Sequence, residues 1–150
     1  MQSIESELEE LGSGMMQDSK FIGRGEVRAK VIFSRLFNHQ KIATQVPIES
    51  LISYQDFVFL DQEFKNHKFD IVVYRPNDVL VIEINYKHGN KAAQKWNDVF
   101  KPLLLKNACV PITIDDYDCE KFFKGEEPRD VTWDDVLDIV QLLKLKKITF

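Results

Sequence analysis

An α/β domain with a central mixed sheet of about four strands and helices on both faces is the fold class this sequence predicts. Three observations carry it. FDIVVYR (69–75) and VLVIEINY (79–86) are β-branched runs, apolar on both faces, separated by Pro76, Asn77 and Asp78. Such runs are central strands, and the residues between them have the chemistry of a hairpin turn. CVPITI (109–114) is a further strand that follows a helical stretch at 91–107, and strand, helix, strand is the order of a parallel crossover. Amphipathic helical stretches at either end of this block supply the covering layers.

Taken in order, residues 2–10 are acidic and helix-forming and are broken off by Gly12, Ser13 and Gly14, so residues 1–19 read as an arm or short leading helix. Residues 20–150 then form a single domain. From Lys20 to Phe37 the residues Ile22, Ala29, Phe33 and Leu36 recur at helical spacing, and Glu26 lies on their stripe. KIATQVPI (41–48) is a strand limited by Pro47, and Glu49 to Lys68 has no clean period, so it reads as loop with a short helical or strand piece. The helix at 91–107 carries Pro102, which disturbs it. The last helix, VTWDDVLDIVQLLKLKK, opens on Thr132 as N-cap, has Asp134 and Asp135 in its first turn and ends in lysines.

The chain's 150 residues, 44% of them hydrophobic, suffice for one core. Its longest apolar runs, such as Val79 to Ile84, fall far short of the roughly 20 residues that cross a bilayer. The acidic N-terminus does not read as a secretory signal, and Cys109 and Cys119 form no CxxC pair. A cytoplasmic protein with reduced thiols is therefore expected. A formal net charge of -4 argues against a protein that coats nucleic acid through a broad basic surface, but not against an enzyme that acts on it. Lys87, Lys91, Lys95, Lys101 and Lys106 are candidates for a local basic strip.

The chemistry concentrates on the hairpin. If Pro76 and Asn77 are the centre of a tight type I turn, Arg75 pairs with Asp78, and counting back along both strands sets Asp70 directly opposite Glu83. Their Cβ atoms would then lie about 5 Å apart. Two opposed carboxylates in an apolar sheet repel each other unless one is protonated or a cation sits between them, and a divalent ion is the simplest resolution. A bulged or three-residue turn would instead slip the register and send one acid to the other face. Glu83, Asn85 and Lys87 share a strand face at intervals of about 7 Å, so an acid, an amide and an ammonium follow in a row. Glu26, on the apolar side of the first helix, is a third acid that would reach the same ion if that helix packs over the hairpin. The ordinary alternatives are solvated strand acids, a Glu26 paired to Arg24 or Arg28, and an exposed loop lysine at position 87. His39, His67 and His88 are scattered, without zinc spacing. Trp96 and Trp133 read as packing residues, and Asp115, Asp116, Asp118 and Glu120 as a solvated acidic loop.

With Asp70, Glu83-Ile84-Asn85 and a preceding helix bearing Glu26 in place, the chain resembles the PD-(D/E)xK, or restriction-endonuclease-like, nuclease superfamily. It is closest there to the small bacterial branch similar to very-short-patch repair endonucleases. The likeness runs through GEVRAKVIFSRL, TQVPIESLI, HKFDIVVY, VLVIEINYKHG and KWNDVFKPLLLKNACVPITI, about residues 20–114. It implies a Mg²⁺ or Mn²⁺ site made by Asp70, Glu83 and the main-chain carbonyl of Ile84, with outer roles for Glu26 and Gln45. It also implies metal-dependent endonucleolytic cleavage of DNA. The position usually held by lysine, or by aspartate in the closer branch, is Asn85 here, which carries no positive charge. Lys87 follows two residues later, Lys91 and Lys95 on the next helix are further substitutes, and Gln45, Lys91 and Lys95 are candidate nucleic-acid contacts. A nuclease that makes two cuts often dimerises, so a homodimer is an open assembly, although no residue marks its interface. The alternative is a nuclease-like module that has lost cleavage and binds nucleic acid or a protein.

Overall fold

The computed structural model describes residues 24–84, 90–115, 117, 118, 121 and 131–149. The arm at 1–19, Asn85, Lys87, His88 and Cys119 lie outside the described residues. The protein is mixed α/β with a four-stranded mixed sheet flanked by helices, and the chain forms two compact units, His39–Ile114 and Met1–Asn38 with Asp115–Phe150. Among the described residues, no helix is long and apolar enough to cross a membrane.

The first unit holds the sheet, with strands β1 (Lys41–Pro47), β2 (Lys68–Tyr74), β3 (Val79–Ile84) and β4 (Cys109–Ile114) in spatial order β1-β2-β3-β4. β1, β2 and β3 form an antiparallel meander, and β4 returns parallel to β3. The turn is tight: the Arg75 N–H donates to the Asp78 carbonyl at 2.9 Å, and strand pairs run from Tyr74↔Val79 to Ile71↔Ile82. This is the register that sets Asp70 opposite Glu83. A bidentate ion pair reinforces the turn, with Arg75 Nε and Nη2 each 2.6 Å from an Asp78 carboxylate oxygen. The hydrogen bonds from Arg75 hold the Asp78 carboxyl below its ordinary pKa. A depressed folded-state value means stability that is present above the unfolded pKa, about 3.9, and is lost as pH falls through the folded one. Asp78→Asn is therefore expected to cost about 1 kcal/mol at neutral pH and to flatten the loss of stability below about pH 4. Thermal melts of both proteins between pH 3 and 7 check this; identical curves at neutral pH would contradict it.

Between β1 and β2, Tyr54–Phe59 forms a short helix, α2, flanked by two 3-10 turns at Ile48–Ser50 and Gln62–Phe64. Ile48, Leu51, Ile52 and Phe64 anchor this segment in a core shared with Val72, Val81, Trp96, Phe100 and Leu104. The missing periodicity follows, because the two 3-10 turns bury one residue each and α2 buries none, so no stripe forms. The crossover from β3 to β4 is α3 (Asn90–Lys95), a π-helical turn at Trp96–Phe100, and α4 (Lys101–Lys106). The helix is disturbed one turn before Pro102. Proline has no N–H to donate and its ring crowds the carbonyl four residues back, so the chain widens there, and the Lys101 N–H donates to the Trp96 carbonyl. The widened turn directs Trp96 and Phe100 into the core, 2% and 3% exposed.

The second unit contains α1 (Arg24–Leu36) and α5 (Trp133–Leu145). α1 departs from the simple amphipathic stripe: Arg28 through Phe33 are all buried. Arg28 reaches Asp135 at 3.0 Å, and the Arg35 guanidinium lies 4.2 Å from the Trp133 ring centroid. Trp133 is thus a half-exposed partner of an arginine and not a core residue. Thr132 caps α5, as its sequence predicts, and the structure adds a capping box with Asp135. Asp118 corrects the reading of a solvated acidic loop, since it is buried and lies 3.3 Å from the Lys146 ammonium.

Candidate metal centre

Main-chain pairing of β2 with β3 gives way beyond Ile71↔Ile82, and the two acids take over. The Asp70 N–H donates to Glu83 Oε1 at 3.3 Å, and the Ile84 N–H donates to Asp70 Oδ2 at 2.8 Å. Each carboxylate thus satisfies a backbone donor of the opposite strand, which holds both acids at one end of the hairpin. Glu83 is buried, 7% exposed, and Asp70 is half-buried. Burying acids in this way is tolerable because their oxygens are hydrogen-bonded, and ionised carboxylates keep further lone pairs for a cation.

Gln45 stands opposite Asp70, between the pairs Thr44↔Ile71 and Val46↔Phe69, and its Nε2 lies 3.5 Å from Asp70 Oδ1. Its φ of 52° is left-handed, a conformation that strains a side chain with a Cβ. The alternation of the strands slips at the same place. Ala43 and Val46 on β1, and Phe69 and Val72 on β2, all pack in one core although each pair is three residues apart. Gln45 and Asp70 sit at this slip, where the regular in-and-out pattern is suspended. Gln45→Gly is expected to keep or raise stability by up to about 1 kcal/mol, because glycine adopts this conformation without the Cβ clash. Gln45→Val is expected to lower it by about 1–2 kcal/mol, since a β-branched residue tolerates positive φ least. Chemical denaturation compares the two; equal stabilities would show that the strain at Gln45 is negligible.

His67, which has no spacing signal in the sequence, stands at the site. Its Nε2 lies 2.8 Å from Glu83 Oε2, and its ring stacks on Phe100 at 4.2 Å and meets Phe69 edge-on at 4.7 Å. Burial pushes its pKa down, the Asp70 charge pulls it up, and Lys95 pushes it further down. Lys95 is exposed at the end of α3, with its ammonium 5.8 Å from the Phe64 ring centroid. The structure therefore brings together Gln45, Asp70, Glu83 and the Ile84 peptide and adds His67, on which the charge of Lys95 acts. Asn85 and Lys87 lie outside the described residues, as do the side chains of Glu26 and Lys91.

Among the described residues, no three His, Cys, Asp or Glu side chains are arranged to hold an ion by themselves. By donor type, the pair Asp70 and Glu83 is of the kind a hard cation takes. Mg²⁺ is ordinarily held by one or two carboxylates and keeps waters and substrate oxygens in its other positions, whereas structural zinc takes four nitrogen or sulfur ligands. No protein-family model, curated protein or solved structure matches the chain.

Proposed function

We propose that this protein is a Mg²⁺- or Mn²⁺-dependent endonuclease acting on DNA, of the PD-(D/E)xK type that its sequence resembles. The observation that carries this reading is the interlock of Asp70 and Glu83, two acids from neighbouring strands held together at the end of an apolar hairpin. Neighbouring carboxylates on adjacent strands repel, and a cation bound by both relieves that repulsion. When bound, such an ion supplies Lewis-acid polarisation of a phosphodiester and of an attacking water.

In this reading Asp70 and Glu83 hold the ion, with the Ile84 carbonyl as the third protein ligand that the resemblance implies. Gln45 gives the Asp70 carboxylate a long, weak amide contact at 3.5 Å. Lys95, exposed and near enough to His67 for its charge to act on that ring, offers a positive charge to the substrate phosphate, a role for which Asn85 has no charge and Lys87 is a further candidate. The resemblance implies a nucleic-acid contact for Lys91 and an outer role for Glu26, whose side chains lie outside the described residues. DNA is the partner, the protein works in the cytoplasm, and a homodimer would allow paired cuts.

The test is to incubate the purified protein with plasmid, branched DNA and RNA in Mg²⁺ or Mn²⁺, with Asp70→Ala and Glu83→Ala as controls. Metal-dependent cutting that both substitutions abolish is the expected result. DNA binding without cutting under any condition would favour the binding module, for which Asn85 in the usual lysine position is the supporting observation.

A further inference from the structure

We infer that His67 is a positioning residue for the metal site, an outer partner that fixes the Glu83 carboxylate for the cation; this rests on the metal-site reading above. A glutamate has three side-chain torsions to restrain before it presents an oxygen at a fixed point. Here both oxygens are held, Oε1 by the Asp70 N–H at 3.3 Å and Oε2 by His67 Nε2 at 2.8 Å. To an ionised Glu83 carboxylate, which only accepts hydrogen bonds, the imidazole donates from Nε2. The nitrogen that faces Glu83 then has no lone pair for a metal, so through this contact His67 acts on the carboxylate and not on the ion. This agrees with the lack of a three-side-chain ion cage among the described residues.

His67 is itself immobilised. Its N–H donates to the Phe64 carbonyl at 3.1 Å, and its carbonyl accepts from the Ile48 N–H at 3.0 Å. Its ring is stacked on Phe100 and abutted by Phe69. The aromatic core thus extends, through one imidazole, to the placement of a metal-binding oxygen. Outer partners of this kind change metal affinity by roughly 10–100-fold when removed.

Calorimetric titration of the full chain with Mn²⁺ tests this, using wild type, His67→Phe, His67→Gln and Asp70→Ala, each checked for folding by its metal-free melting curve. Phenylalanine keeps the stacking and removes the donor, whereas glutamine keeps an N–H donor of similar reach. The expected result is affinity weakened at least about tenfold in His67→Phe and restored to within about threefold of wild type in His67→Gln. If His67→Phe does not fold, His67→Asn, whose amide stops short of Glu83, replaces it with the same expectation. Unchanged affinity in the phenylalanine or asparagine variant overturns the inference, and so does a loss in glutamine equal to that in phenylalanine. If wild type binds no Mn²⁺, or Asp70→Ala binds as wild type does, the metal-site reading fails and the inference falls with it. Binding by wild type that Asp70→Ala abolishes preserves that reading whatever the His67 variants do.

Discussion

Replacing Asp70 or Glu83 by alanine is expected, on the proposed nuclease reading, to reduce metal-dependent DNA cleavage roughly a thousandfold, the loss that corresponds to about 4 kcal/mol of transition-state stabilisation. The two substitutions should not add. Each removes half of one site, so the double variant is expected to cleave no more slowly than either single one. The stability response separates a metal site from a merely structural pair. Asp70→Asn keeps an oxygen to accept the Ile84 N–H while removing one of two neighbouring negative charges. Its metal-free melting temperature is expected to equal or exceed that of wild type, and Mn²⁺ is expected to raise only the wild-type value. A structural pair would behave in the opposite way, with Asp70→Asn melting lower and Mn²⁺ changing neither protein.

The largest expected effect on stability is at Phe100. Its ring, 3% exposed, meets Phe64 edge-on at 5.6 Å and Phe69 at 5.7 Å, and supports the His67 ring at 4.2 Å. Phe100→Ala is expected to cost about 3–5 kcal/mol through lost burial and the cavity left behind. That is a large part of a domain's usual stability of about 5–15 kcal/mol and lowers the melting temperature by roughly 10 °C. Phe59 provides the contrast. It is 80% exposed on α2, and Phe59→Ala is expected to change stability by no more than about 0.5 kcal/mol. Denaturant unfolding of the two variants measures the difference; comparable losses would mean that the core assigned around Phe100 is wrong.

The hairpin shows why part of this protein is legible in its sequence. Val72, Val73, Val79 and Val81 mark the strands by residue type, and the tight turn at Pro76 and Asn77 fixes their register, so the meeting of Asp70 with Glu83 follows by counting. The Thr132 cap is legible for the same reason, since its chemistry is local. His67 is not. It reaches Glu83 because a 3-10 turn at Gln62–Phe64 sets its backbone and Phe100, 33 residues later, sets its ring. Neither influence leaves a periodic trace. The left-handed Gln45 is hidden too, since positive φ is usually announced by glycine or asparagine. Asp118 was misleading in the other direction: it sits in an acidic run, but its partner Lys146 lies a long way along the chain.

A crystal soaked in Mn²⁺ and measured at the manganese anomalous edge tests most directly whether Asp70 and Glu83 serve one ion. The account predicts a single anomalous peak in the hairpin, roughly 2.1 Å from a carboxylate oxygen of each residue, the coordination distance of a small hard cation. A crystal with no peak between these carboxylates, or with manganese bound to one of them alone, would contradict it.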